Sequence, residues 1–398
     1  MHMCSDGKKL KILIVSQFYY PDITACAFRM HETAQILADM GHEVHVIGGE
    51  PHKGQVSDSE IDDGKIKVIR VELFKNPAGK WNYIRHYLSF MFGAIKAARK
   101  LDRSYDVIWA SSPPLFAGIA GWAIAKEKNT KFCLDIRDIW PESAVVAGQI
   151  SGKGVLFKAA KIVEKLLYGA ADKITCVAKP MAEYIKTVNT ACEPVIIYNA
   201  ISEKMLSKAE PPTYNGNLNI LYIGNMGFCQ NLGLVLDAAK ILQSKNIANI
   251  RFIMIGNGVE KQMLEQRIQD EKIELAEIRD VVSKEKAIEM SAQAHGLMLH
   301  LKDDGTMDKT IPSKVFDYMA VGRPILYGLK GEACEILGGN GANLKYDPAD
   351  AQSLADAATK LLSDYSKLTE AAAKNIKSVK QSFLREEMTR QLLDKAFL

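Results

Sequence analysis

The sequence predicts an α/β protein built as two Rossmann-like domains, and three observations carry that expectation. Short apolar runs alternate with segments of helical periodicity along the whole chain. The alternation stops at a polar stretch, Glu203 to Asn217, which contains Pro211-Pro212, and restarts at Asn219. The 398 residues suffice for about two domains. The expected division is 1–200, 201–380 and a closing helical segment, 381–398.

The first domain opens with the buried strand Lys11 to Phe18, an amphipathic helix from Phe28 to Met40 and a strand from His42 to Gly48. This β-loop-α-β start raises the possibility of a dinucleotide site. Yet the loop after the first strand holds no glycine between Ser16 and Met40, where a pyrophosphate would need GxGxxG. That argues against NAD.

Residues 75–103, KNPAGKWNYIRHYLSFMFGAIKAARKLDR, carry seven Lys and Arg against one Asp. Trp81, Tyr83, Tyr87, Phe90, Met91 and Phe92 are interleaved with the cations. A basic helix with large aromatics suits a membrane interface, and the expected partner is the inner membrane surface. The alternative is a core helix with solvated cations.

Strand Asp106 to Ser112 precedes a helix opened by Pro113-Pro114. Strand Phe132 to Ile136 leads into Arg137-Asp138-Ile139-Trp140-Pro141-Glu142. Charged residues at a strand C-terminus stand where an α/β ligand site belongs, although an ion-paired loop would look the same. Ser143 to Gly154 reads as a mobile Gly/Ser loop. A long helix to Gly169, strand Lys173 to Ala178, a helix from Lys179 and strand Val195 to Tyr198 complete this half.

In the second half, strand Asn219 to Gly224 enters a loop with Gly224 and Gly227, which would let backbone approach a phosphate. Strand Arg251 to Gly258 ends in Gly256-Asn257-Gly258. Val281-Val282 precedes a helix from Ser283, and Leu297 to Leu301 is the next strand. The stretch Lys302 to Leu326 has the most chemistry. Pro312-Ser313 opens a helix, Val315, Phe316, Met319 and Ala320 recur at helical spacing, and Gly322 fits its C-cap. Such a helix start presents unpartnered N–H groups and suits phosphate. Lys302, Lys309 and Lys314 lie on or beside it, and Asp317 sits one turn in, able to accept from sugar hydroxyls. Helices from Asp350 to Lys380 and from Phe383 to Phe397 close the chain.

Two segments resemble a known family. Ile311-Pro312-Ser313-Lys314-Val315-Phe316-Asp317-Tyr318-Met319-Ala320-Val321-Gly322-Arg323-Pro324 looks like the donor-binding segment of retaining glycosyltransferases of family 4, in their O-antigen and capsule subgroup. Arg137 to Glu142 is similar to that subgroup's "R-D-L-W-P-E". The resemblance implies the GT-B fold, with two Rossmann-like domains facing a cleft and the last helix returning to the first domain. It implies an N-terminal acceptor-binding and a C-terminal nucleotide-sugar-binding domain.

By that resemblance, Arg137, Asp138 and Glu142 become catalytic candidates: Arg137 facing phosphate, Asp138 or Glu142 orienting the acceptor hydroxyl. Gly224, Asn225, Gly227, Gly256, Gly258, Val282, Lys302, Ile311, Pro312, Ser313, Lys314 and Asp317 become donor-binding candidates, and Arg29 matches a common family arginine. Departures are plain. Lys309 and Asp317 hold the places of the family's two glutamates, Asn225 and Gln230 or Asn231 replace its cations, and Thr24 to Ala27 lacks its glycine-rich loop.

The implied reaction is metal-independent transfer from a UDP-sugar, with an N-acetylated sugar among the candidates, or from a GDP-sugar. The implied acceptor is a lipid-linked or polysaccharide precursor at the cytoplasmic membrane face, with no other cofactor. A UDP-sugar 2-epimerase and a catalytically silent scaffold subunit are the alternatives. Bulk properties agree with a cytoplasmic, peripheral protein. No run of about 18 apolar residues exists, the start MHMCSDGKKLKILIVS has no secretory pattern, and seven scattered cysteines form no CxxC pair. Asp303-Asp304 alone lacks the further ligands a hard cation needs. A net charge of +4 is too mild to imply nucleic acid.

Overall fold

The computed structural model describes residues 8–22, 24–51, 65–75, 80–101, 104–146, 150–207, 209–302, 305, 307–339 and 341–398. Asp303-Asp304 and part of 75–103, including the Trp81 side chain, lie outside that description. The chain divides into two compact units, 1–198 with 385–398, and 199–384.

In the first unit the strands are β1 (Lys11–Ser16), β2 (Glu43–Gly49), β3 (Ile66–Val71), β4 (Val107–Ser112), β5 (Lys131–Ile136), β6 (Lys173–Cys176) and β7 (Val195–Ile196). They form one parallel sheet in the order β3-β2-β1-β4-β5-β6-β7. Ile12 stands opposite Val44 on one side and Val107 on the other. Ile12 to Val15 are wholly buried because helices cover both faces, which is why β1 reads as a continuous apolar run. The helices are α1 (Ala25–Asp39), α2 (Lys80–Arg99), α3 (Leu115–Lys128), α4 (Glu142–Val146), α5 (Val155–Ala170) and α6 (Lys179–Val188). Thr24 caps α1, its hydroxyl accepting from the Ala27 amide at 3.1 Å.

The second unit repeats the plan with β8 (Leu218–Asn225), β9 (Ile250–Asn257), β10 (Ala276–Arg279), β11 (Gly296–His300), β12 (Ile325–Gly328) and β13 (Leu344–Lys345), ordered β10-β9-β8-β11-β12-β13. Its helices are α7 (Gly233–Ser244), α8 (Lys261–Asp270), α9 (Lys284–Ala292), α10 (Lys314–Val321), α11 (Gly331–Gly338), α12 (Ala351–Ser363) and α13 (Tyr365–Ser382). Strand order reverses between β1 and β4 in one sheet and between β8 and β11 in the other. Those reversals open crevices at the strands' C-terminal ends, the usual ligand position in open α/β sheets.

The last helix, α14 (Arg385–Leu392), runs into π-helical turns to Phe397 and belongs to the first unit. Arg385 Nε lies 3.2 Å from Glu32 on α1, and the Phe397 ring meets Trp109 of β4 edge-on at 5.8 Å.

The structure corrects one sequence reading here. The start of the expected Ser143–Gly154 loop is helical: Ser143 donates to the Ile139 carbonyl and Val145 to that of Pro141, and Ala144 is buried. Residues 147–149 lie outside the description.

Arg29 is a structural tie. Its guanidinium meets Asp135 of β5 at 3.0 Å and donates to the carbonyls of Ile197 and Tyr198 at 3.2 and 3.0 Å. Thr175 donates to the same Asp135 oxygen at 2.7 Å. With both charges buried, removing one strands the other. Arg29→Met should cost about 3–5 kcal/mol of unfolding free energy. Urea denaturation checks this, and a loss below about 1 kcal/mol would deny the pair its role.

Candidate active site

In the first unit the crevice beside the β1/β4 reversal is a cavity of about 330 Å³. Phe18, Thr24 and Cys26 line it from the loop and helix after β1, and Pro113 and Pro114 from the end of β4. Arg137, Asp138 and Trp140 come from the end of β5, and Tyr87 reaches in from α2. Arg137 is fixed by its neighbours: Nε donates to Ser111 Oγ and a terminal nitrogen to the Pro113 carbonyl, both at 2.6 Å. Burial pushes the Asp138 carboxyl up to about 6, against the opposing pull of the Ser143 hydroxyl, Arg137 and the Ile139 amide. This wall therefore offers an aromatic surface, a rigid cation and a carboxylate poised below neutrality.

Glu142 does not line this cavity. Its Oε1 accepts from Lys161 at 3.0 Å and from the Tyr184 hydroxyl at 3.1 Å, while Oε2 is buried without a partner. Lys161 and Tyr184 also hold Glu164 of α5. The geometry ties Glu142 to α5 and α6, apart from Arg137 and Asp138.

In the second unit the candidates converge on the β8/β11 reversal. Lys314, the first residue of α10, extends over the Tyr222 ring with its nitrogen 5.0 Å from the centroid. It lies against Gly224 so closely that a Cβ there would fall 2.1 Å from Nζ. Burial lowers the Lys314 ammonium to about 8, partly offset by Asp317. Among the described residues that ammonium has no hydrogen-bond or ion-pair partner. The N-cap Ser313 makes no side-chain cap bond, and the first amides bonded back at this helix start are those of Val315 and Phe316. The exposed Asp317 shares with Lys314 a cavity of about 120 Å³ that also touches Ile223, Lys284 and Tyr318.

The loop after β8 is stiff. The Tyr222 hydroxyl donates to the Asn225 carbonyl at 2.6 Å, and the Ile223 amide to the Tyr318 hydroxyl at 2.9 Å. Gln230 Oε1 accepts from the Gly227 amide and the Asn225 side chain. Gly256 and Gly258 are required by the backbone that packs beside them. A Cβ on Gly256 would sit 1.9 Å from the Gly224 carbonyl oxygen, and one on Gly258 2.2 Å from that of Met226. They admit the neighbouring backbone, and through it shape the loop that holds Gly224. The Lys302 amide is bonded to the Cys229 carbonyl at 2.8 Å and its side chain is exposed. Ile311 is buried, Pro312 is half-buried, and half-buried Val282 lies just before α9; none of the three lines either cavity.

Residues 24–199 match the family model described as Glycosyl transferase 4-like domain, and 204–379 that described as Glycosyl transferases group 1. The chain belongs to the glycosyltransferases. A relative from Escherichia coli K12, provisionally named as the colanic acid biosynthesis glycosyl transferase WcaI, is 26% identical over 83% of this chain and 87% of its own length. Among solved structures, Anabaena Alr3699/HepE in complex with UDP-glucose superposes with a TM-score of 0.71 at 12% identity, covering 97% of this chain and 98% of that one. Sucrose-phosphate synthase from Thermosynechococcus elongatus gives 0.74 at 15% identity over 96% and 98%. The fold of this glycosyltransferase is thus the two-Rossmann GT-B arrangement.

Sequence reading of the glycosyltransferase missed Tyr222, whose ring lies under Lys314, Tyr318, which accepts from the Ile223 amide, and Cys26 in the cavity wall. An aromatic in a strand or helix looks like core, and here it is core as well: Tyr222 and Tyr318 are nearly inaccessible. No local signal separates the two roles.

Asp138 yields a test of its surroundings. Its folded value lies above the ordinary 3.8, so folding holds a proton that the unfolded chain releases. Stability from this group is full below about 4 and is lost as pH rises through 6, by about 3 kcal/mol. The Tm of Asp138→Asn minus that of the unsubstituted protein should therefore rise between pH 4 and pH 7. A flat difference would place Asp138 in water.

Proposed function

We propose that this glycosyltransferase moves a sugar from a nucleoside-diphosphate donor to a precursor of a cell-surface glycan, with retention of configuration and without a metal. One observation carries the reading. The Lys314 ammonium is partly desolvated, has no hydrogen-bond or ion-pair partner among the described residues, and stands at a helix N-terminus beside a glycine. Such a place favours a diphosphate, which brings the missing charge and accepts from amides.

In the reaction, the bond from the sugar's anomeric carbon to the diphosphate breaks, and the acceptor oxygen bonds the same carbon on the same face. The acceptor proton passes to a diphosphate oxygen, so no protein base at fixed spacing is required. Lys314 and the α10 amides stabilise the charge that develops on the leaving group. Asp317 takes the ribose hydroxyls, and Lys302 supports the phosphates. The acceptor occupies the cavity of Arg137 and Asp138, where Asp138 orients its hydroxyl.

The donor is UDP-linked, and an N-acetylated sugar suits it. HepE, of like fold, was crystallised with UDP and with UDP-glucose, and the name of the WcaI relative speaks of colanic acid biosynthesis. The acceptor is a lipid-linked or polysaccharide precursor, and the enzyme works peripherally at the inner membrane face. Among the described residues no helix is long and apolar enough to cross a membrane.

Calorimetric titration with UDP, GDP and, as control, NAD tests the donor. Micromolar UDP binding is expected, lost in Lys314→Ala. Preference for GDP would change the donor class, and failure to bind any nucleotide would sink the transfer reading. The pH dependence is a second test. With Lys314 held to about 8, UDP binding above that pH must draw a proton onto the neutral Lys314 amine. Affinity should fall by up to about tenfold per pH unit from 8 upward, and Lys314→Arg should flatten the profile. An equally steep fall in that variant would assign the titration to another group.

A further inference from the structure

Helix α5 is apolar on two faces, for Ala160, Leu167 and Tyr168 are buried while a second aliphatic stripe faces out. Its inward face buries Glu164, fully inaccessible, whose carboxylate accepts from the Tyr184 hydroxyl at 2.9 Å and from Lys161. Its outward face carries Val155, Ala159, Ile162 and Leu166, spaced four, three and four residues apart on one stripe. Val155 is 83% exposed, Ile162 63% and Leu166 62%, with Leu156 beside them at 43%. Folding this unit gives no reason for a helix to keep a carboxylate inside and a branched aliphatic stripe in water.

The surroundings say what covers the stripe. Lys158 and Lys165 flank it, both exposed. Helix α3 packs against both α2 and α5. It exposes part of Trp122, with Lys126 5.8 Å over the ring, and α2 exposes Phe92. Across α2, α3 and α5 stand nine Lys and Arg against two Glu. Of those two, Glu164 is buried and Glu127 is paired with Arg99 at 2.9 Å. A second copy of this chain would set exposed Lys126, Lys158 and Lys165 against their own images, which opposes self-association through this face. An anionic bilayer supplies both missing partners, headgroup charge for the lysines and an apolar layer for the stripe.

We infer that the outer face of α5, with α3 beside it, lies on an anionic phospholipid surface. This rests on the membrane location proposed above and moves the contact from residues 75–103 to Val155, Ile162 and Leu166. In α2, Phe90 and Met91 are core residues and Tyr87 stacks on Phe116 with 6.0 Å between centroids. Of the described interleaved aromatics only Tyr83 and Phe92 are well exposed.

Flotation of the full chain with protein-free vesicles tests the inference and needs neither donor nor acceptor. Vesicles of phosphatidylglycerol and phosphatidylethanolamine should carry the protein, and vesicles of phosphatidylcholine alone should carry far less. Ile162→Ser with Leu166→Ser should weaken the binding by at least about tenfold. Lys158→Gln with Lys165→Gln should weaken it by about tenfold on the anionic vesicles only. All four positions are at the surface or partly so, and an unchanged Tm verifies the fold. If both double variants float as the parent does, α5 is not the contact, although the membrane location stands. If the parent ignores anionic vesicles, both fail. A parent that sediments as a dimer which Ile162→Ser with Leu166→Ser dissociates would hand the stripe to a second copy and overturn the inference.

Discussion

Backbone touching backbone at the ends of β8 and β9 is the constraint on which the second unit's site depends. Gly256 approaches the Gly224 carbonyl and Gly258 that of Met226, at distances that leave no room for any Cβ. The contact fixes the course of the β8 loop, and Tyr222 and Tyr318 then lock it by hydrogen bonds. The space left beside Gly224 is filled by the Lys314 ammonium. A side chain on Gly224 would push Lys314 away, and one on Gly256 would move Gly224. Three glycines, two tyrosines and a lysine thus make one mechanical unit, although they come from three separate stretches of chain.

That unit shows what a sequence does and does not disclose. The alternation of apolar runs and helical periods was legible because parallel strands covered on both faces must be apolar throughout. The helix start at Pro312-Ser313 was legible from local chemistry, and so was the αL cap at Gly322, which has φ 70°. The purpose of Gly256 and Gly258 was not. A glycine that admits a phosphate and a glycine that admits a neighbouring strand look alike until the neighbour is known. Glu142 was misleading for a similar reason. A carboxylate after a strand can face a ligand or a lysine, and its lysine lies nineteen residues on, across a segment that reads as loop. β3 and β10 are edge strands of their sheets and only partly buried, so neither shows the continuous apolar run of the covered strands.

The basic helix illustrates a different limit. Composition told that α2 is rich in cations and aromatics, but the direction of its faces depends on what packs below. The sheet and α3 take Phe90, Met91 and one face of Tyr87. In α5 the logic runs the other way. Its buried acid is affordable because Lys161 and Tyr184 satisfy it, and its apolar stripe is left for solvent or for a surface. The amphipathicity of a helix is visible in sequence; its polarity relative to the core is not.

Each unit also carries an ionisable group displaced by burial at its sheet's C-terminal edge, and the two displacements converge. Asp138 is raised to about 6 and Lys314 lowered to about 8. Their ordinary values, 3.8 and 10.5, would leave both groups charged across a much wider range. Here the carboxylate and the ammonium are both charged only between about pH 6 and 8. Desolvation of this kind costs stability in each unit, and nothing in either sheet requires it. A group kept partly dry, with desolvation outweighing the one opposite charge nearby, is worth that cost when a substrate brings further charge. The Lys314 ammonium, without a hydrogen-bond or ion-pair partner among the described residues, is therefore a stronger pointer to a diphosphate than any of the glycines around it.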